Sequence, residues 1–270
     1  MKKSVLFFLI VQILAVACVQ SAKAIDAAPL TANSVRPAPA LKEGIEARMK
    51  AIAARPAGER IAIWAESFVG TPYDTDPLGA YVSCSKIVCD ELVDCMYLVF
   101  RSAELGLSRT PQEAEERALD LRFRTHGRLE GGKVANYDER FEYGEDMVFS
   151  GKWGANITAG LGKTAAMPGS RGRSSVGYIP KDELLKFENY GKLQDGDIIF
   201  FLKDPSRRVV GEIVGHLGII SLGDCSIKLI HASGSKSSKG KPGGGIVKEV
   251  DLIQYLKDMK FVGALVTRFQ

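Results

Sequence analysis

The sequence predicts an α+β fold, a set of helices packed against an antiparallel sheet, and two observations predict it. Apolar residues recur at helical spacing as far as about residue 121, whereas from Asp195 onward short apolar runs are separated by turn residues. Helices first and strands after, without regular alternation, is the α+β pattern. At 270 residues, 46% hydrophobic and 25% charged, the chain is long enough to bury a core without staples and is too apolar for wholesale disorder.

The opening MKKSVLFFLIVQILAVACVQSAKA has two lysines, an apolar stretch from Val5 to Cys18 interrupted by Gln12, and small residues ending in Ala22-Lys23-Ala24. This is the layout of a secretory signal peptide, residues 1–24, cleaved before Ile25. The apolar run is shorter than the roughly 20 residues of a membrane-spanning helix. Ala15-Val16-Ala17-Cys18 also resembles a lipoprotein signal box, so a membrane is a partner only if Cys18 is lipidated. The mature chain is expected to be periplasmic or secreted. The net charge of +4 owes three lysines to this leader, and without it 33 basic residues face 32 acidic ones. Such a balance gives no reason to invoke nucleic acid, which is bound through a concentrated basic surface.

Residues 25–60 are rich in Ala, Pro and charge, with Arg36-Pro37-Ala38-Pro39 as an extended spacer leading into one helix. A second helix runs from Arg60 to Phe68 and is ended by Gly70-Thr71-Pro72, after which Tyr73 to Tyr81 reads as irregular coil. From Glu91 to about Leu105, Leu92, Cys95, Leu98, Val99, Ser102 and Ala103 follow helical spacing, and Gly106 is placed to end the helix. Cys95 thus falls in its first turns. A charged helix covers Glu113 to Leu121, and about 122–178 reads as an irregular insertion within a domain of residues 61–270.

The runs DIIFFL, VGHLGII, IKLIHAS, GGIVKEV and FVGALVTRF give a four- to five-stranded antiparallel sheet. Ser233 to Gly245 is a polar loop, and its Lys236 to Lys241 stretch is expected to be solvated. After cleavage the cysteines are Cys84, Cys89, Cys95 and Cys225. At most one bridge is expected, Cys84 to Cys89, with two reduced thiols as the other reading and Cys225 buried and free.

Of the three histidines, His126 lies in the irregular stretch and reads as a surface residue, while His216 and His231 occupy successive strands. With Gly223-Asp224 at the centre of the turn, paired positions sum to 447, which sets the two histidines side by side on one face. A thiol at a helix N-terminus feels the positive end of the dipole, and an adjacent imidazole can take its proton, bringing its pKa well below the usual value of about 8.5. A polar group behind the imidazole fixes its tautomer. Cys95, His216 and His231 are the candidates for nucleophile, base and orienting residue.

These residues carry a family resemblance. FVGTPY at Phe68 to Tyr73, VDC at Val93 to Cys95, LQDGDIIFF at Leu193 to Phe201, GHLGII at Gly215 to Ile220 and IHAS at Ile230 to Ser233 resemble, in order and spacing, the NlpC-type cell-wall cysteine peptidases. Within that papain-like superfamily the chain resembles an exported branch described as N-acetylmuramoyl-L-alanine amidase-like, over about Ile61 to Phe269. The resemblance implies a papain-like fold, hydrolysis of an amide bond in peptidoglycan stem peptides, and no cofactor. It also implies that Tyr73 and Asp94 line the substrate cleft. The branch's Arg-x-His-Tyr signature stands here as Arg140-Phe141-Glu142-Tyr143, with Trp153 further on, and Met96 and Tyr97 follow the Asp-Cys pair. A zinc site would need C-x-x-C or H-x-x-x-H pairs, which the sequence lacks. The remaining readings are a wall-binding protein on the same fold and a cysteine acyltransferase or amidase acting on another amide.

Overall fold

A computed structural model describes residues 44–223 and 226–270 of the chain. The expected leader, Cys18, the spacer and Cys225 lie outside those residues. The first helices are α1 (Ile45–Ile52), α2 (Ala57–Ser67), α3 (Ala80–Ser83), α4 (Cys95–Leu107) and α5 (Pro111–Leu121). Then follow strands β1 (Leu129–Glu130) and β2 (Lys133–Val134), α6 (Gly144–Phe149), β3 (Ala155–Asn156), α7 (Thr158–Leu161), β4 (Ala165–Pro168) and β5 (Ser175–Pro180). The chain closes with α8 (Lys181–Leu184), α9 (Phe187–Tyr190), β6 (Ile198–Lys203), β7 (Val214–Gly223), β8 (Ser226–Ser235), β9 (Gly244–Asp251), α10 (Leu252–Asp258) and β10 (Phe261–Arg268). Among the described residues no helix is long and apolar enough to cross a membrane.

The main sheet is antiparallel, in the order β4-β5-β10-β6-β7-β8-β9, with β3 also paired to β10. All five expected runs are in it. Strand β6 explains why IIFFL is apolar throughout: Ile198, Phe200 and Leu202 join the core under the helices, and Ile199 and Phe201 join a second core with Leu252 and Leu256 of α10. An α+β fold of helices on a large antiparallel sheet is therefore what the chain adopts.

The stretch 122–178, expected as an irregular insertion, adds three strands to the sheet and buries Phe123, Met147 and Trp153 in the core shared with α4. Its strands span two to six residues, too few to show a period. Trp153 is fully buried and donates its Nε1–H to the carbonyl of Leu121 at 2.9 Å.

Helix α4 begins at Cys95 because Asp94 caps it, its Oδ1 accepting the Tyr97 N–H at 2.8 Å. Gly106, expected to terminate the helix, lies inside its last turn. There it allows α2 to approach: a Cβ at Gly106 would fall 2.6 Å from Ile61 Cγ1 and 2.8 Å from the Ile61 backbone. The carbonyl of Gly106 accepts the Arg60 Nε–H at 2.6 Å. Behind α4, Arg122 and Glu104 form a two-point ion pair at 2.6 and 2.7 Å, and the Arg122 Nη1 reaches the carbonyl of Ile87 at 2.8 Å.

Candidate active site

Residues 70–74 add a short rung between the edge of the sheet and the start of α4. Tyr73 N–H donates to Gly245 O and Val247 N–H to Thr71 O, both at 2.9 Å, while on the other side Val93 N–H donates to Pro72 O at 3.0 Å. This lattice brings Tyr73 and Asp74 beside Asp94 and Cys95. The Tyr73 ring packs directly on Gly234 of β8, where a Cβ would fall 2.2 Å from Tyr73 Cγ.

The histidines meet, by a register other than the expected one. Strands β7 and β8 pair as Ile219 with Ile230 down to Gly223 with Ser226, so paired positions sum to 449, two more than the assumed turn gave. A slip of two residues preserves the face, so His216 and His231 remain neighbours, now on a diagonal, and His216 Nε2 lies 2.8 Å from His231 Nδ1. Pairing between β7 and β8 stops at Ile219 and Ile230 although both strands continue. The two rings bridge the mouth of this fork. His216 stacks near Phe201, 6.3 Å between centroids, and Tyr255 of α10 packs edge-on to His231 at 4.9 Å.

Cys95, half-buried, sits at the same fork, where the N–H of Leu217, the residue after His216, favours its thiolate. Among the described residues no hydrogen bond joins either histidine to the Cys95 sulfur; catalytic contacts of this kind often close only with substrate bound. The electrostatics differ from the expected resting thiolate. Burial, seconded by the Asp94 carboxylate, pushes the Cys95 thiol up to about 12, against the pull of Leu217 N–H and Lys236. Burial likewise lowers His216 to about 3, with His231 adding to the shift, and lowers His231 to about 4, with Lys248 adding to it. At neutral pH the site rests as a neutral thiol beside two neutral imidazoles.

Three residues that the sequence did not single out belong to this site. Lys236 pairs with Asp94 at 2.8 Å and approaches Asp74 to 4.0 Å, with its ammonium 5.7 Å from the centre of the Tyr73 ring. Asp74 is almost fully buried and accepts the backbone N–H groups of Asp76 and Ala80 at 3.0 and 2.6 Å. Tyr255 has its hydroxyl pKa raised by burial and then by the nearby Cys95. Asp74 was readable as the carboxylate following Tyr73. Lys236 was one lysine among several in a polar loop, and nothing local marks Tyr255. The loop expected to be solvated is held at its start by Lys236 and by Ser237 N–H on Thr75 O at 2.9 Å.

The other expectations resolve simply. His126 is exposed. Cys84 and Cys89 are free thiols, so the bridge between them is not made, and Cys89 N–H instead donates to Tyr97 Oη at 2.6 Å. Glu142 forms a partly exposed ion pair with Arg140 at 3.1 Å. Among the described residues no three His, Cys, Asp or Glu side chains are grouped to hold a metal ion.

No family model and no curated protein matches this sequence. Solved structures do. An N-acetylmuramoyl-L-alanine amidase from Bacteroides uniformis is 23% identical and superposes with a TM-score of 0.58, covering 78% of this chain and 97% of its own. The fold is shared. A Legionella pneumophila protein of the family DUF1460 is 16% identical with a TM-score of 0.59, over 85% of this chain and 95% of its own. A candidate xylanase from Bacteroides fragilis is 22% identical with a TM-score of 0.56, over 77% of this chain and 100% of its own.

Proposed function

We propose that the protein is an exported, papain-like cysteine amidohydrolase that cleaves an amide bond in peptidoglycan stem peptides, acting in the periplasm or outside the cell. The observation that carries this reading is the 2.8 Å contact between His216 Nε2 and His231 Nδ1 at the fork where α4 presents Cys95. With Nε2 engaged, Nδ1 of His216 is the atom left to receive a proton. For that it must be unprotonated, so the proton sits on Nε2 and is donated to His231, which fixes the tautomer.

The resting thiol is neutral, so deprotonation accompanies attack. The Cys95 sulfur bonds to the amide carbon as its proton passes to His216, and the carbonyl oxygen becomes an oxyanion facing the N–H at the start of α4. His216 then protonates the departing amine, the C–N bond breaks and a thioester remains. Water, deprotonated by the same imidazole, releases the acid and restores the thiol. Tyr73 and Asp94 line the substrate cleft, and the chemistry calls for no cofactor. The shared fold with the Bacteroides uniformis amidase supports the substrate class.

The raised Cys95 thiol favours a second reading, a wall-binding protein on the same fold without turnover. Mass spectrometry of the soluble products formed from defined muropeptides, by residues 25–270 and by its Cys95→Ala variant, separates the two. A product that only the parent makes supports hydrolysis through Cys95, and its mass identifies the bond. No product from either, across stem peptides of different lengths, overturns the peptidoglycan-hydrolase reading.

A further inference from the structure

The Lys236 ammonium sits between two carboxylates and over an aromatic ring, although it belongs to a polar loop of Lys, Ser and Gly whose one apolar side chain is Pro242. Asp74 is held from within by two backbone N–H groups, and Asp94 is held by its capping bond to Tyr97, so both carboxylates are fixed in place beside the nucleophile. A thiolate forming at Cys95 would face this pair of negative charges. Among the described residues only Lys236 forms an ion pair with them: its Nζ is 2.8 Å from Asp94 Oδ2 and 4.0 Å from Asp74 Oδ2. The other groups facing Cys95 are Tyr73 from the 70–74 rung, Tyr255 from α10, and the neutral His216 and His231 from β7 and β8, and none of these brings a positive charge at neutral pH.

We propose that Lys236 is a positioning residue for the reaction, a cation supplied by the loop after β8 that offsets the negative charge of the Asp74 and Asp94 pair and so lowers the cost of negative charge on the Cys95 sulfur. The inference rests on the nucleophile assigned above. It gives the Lys, Ser and Gly loop a part in the chemistry. With Lys236 seated one of the two negative charges is offset, and with it withdrawn both carboxylates oppose the thiolate. The ring of Tyr73 holds the ammonium on its open side through the attraction of a cation for an aromatic face. The direction agrees with the pull that Lys236 exerts on the Cys95 thiol.

The test is the rate of Cys95 alkylation by iodoacetamide between pH 7 and 10, read by peptide mass spectrometry with Cys84 and Cys89 as internal references. Parent, Lys236→Met, Lys236→Arg and His216→Ala are compared. Lys236→Met slows Cys95 about tenfold at pH 8 and moves its pH profile to higher pH, as loss of a nearby opposite charge requires. Lys236→Arg restores the parent profile, and 1 M salt narrows the gap between parent and Lys236→Met. Cys84 and Cys89 are unaffected. A Lys236→Met profile that overlies the parent's overturns the proposal, as does a slowing that 1 M salt leaves unchanged, which a purely structural role would give. A Cys95 rate indifferent to His216→Ala counts against the nucleophile itself, so the two failures are told apart.

Discussion

Arg122→Met removes one partner of an ion pair whose side chains are 1% and 0% exposed, leaving Glu104 charged inside the core. Breaking a buried pair from one side costs about 3–5 kcal/mol, because the remaining charge keeps its desolvation penalty. The structure sets where in that range the loss falls. Arg101 Nη1 lies 3.8 Å from Glu104 and is buried with no hydrogen bond of its own, so it can turn to the orphaned carboxylate and hold the cost near the lower end. The Ile87 carbonyl also loses its donor, which adds about 1–3 kcal/mol. Equilibrium urea unfolding of Arg122→Met is therefore expected to show a loss of about 4–6 kcal/mol in all. The double variant Arg122→Met with Glu104→Leu removes both charges and is expected to recover most of this, leaving roughly the 1–3 kcal/mol of the unsatisfied carbonyl. A single variant costing under about 1 kcal/mol, or a double variant no more stable than the single, refutes the reasoning.

Acid should destabilise the fold through its histidines. In the folded state His216 titrates at about 3 and His231 at about 4, whereas an unfolded histidine titrates near 6.5. Between those values the unfolded chain binds more protons, so stability rises with pH and is lost as pH falls below about 6.5, by about 2 kcal/mol per histidine at pH 5. Unfolding at pH 7.5 and pH 5.0 should show a smaller difference for a variant with both histidines changed to Gln than for the parent. Gly106→Ala should cost about 1–3 kcal/mol from overpacking against the Ile61 backbone, despite the roughly 1 kcal/mol that alanine gains in a helix, as thermal denaturation would show. Gly234→Ala should displace the Tyr73 ring and cut muropeptide turnover by at least about tenfold, since small misplacements in a cleft are expensive, while the melting temperature changes little. Equal turnover to the parent would show that the ring is not needed where it lies.

What was legible in the sequence was what periodicity encodes. Strands β6 to β10 announce themselves as apolar runs, and the spacing of α4 and α5 shows the helices but not their starts, which fall at the Asp94 and Thr110 caps rather than at Glu91 and Glu113. The pairing of His216 with His231 survived a wrong turn because side chains alternate with period two, so a slip of two residues returns each to its own face. The strands of the middle segment escape notice because they are short, and because β3 and β5 pair with β10, far away in sequence. Gly106 misleads because a glycine that ends a helix and one that admits a neighbouring helix look the same until the neighbour is seen. The resting charge of Cys95 differs from expectation because its position at a helix start is legible, whereas its burial beside Asp94 is a property of the assembled fold. Lys236 and Tyr255 reach the site from distant segments, and no local spacing foretells that.

The central claim is that Cys95 forms a covalent bond to the substrate with His216 as its base. Rapid quenching of the protein with a muropeptide, followed by peptide mass spectrometry, tests it most directly. The account predicts a thioester mass increase on the peptide carrying Cys95 that appears before free product accumulates and is absent from Cys95→Ala. It also predicts that His216→Ala slows the appearance of that adduct by orders of magnitude. Product release from the parent with no adduct on Cys95, or equal turnover by Cys95→Ala, would contradict it.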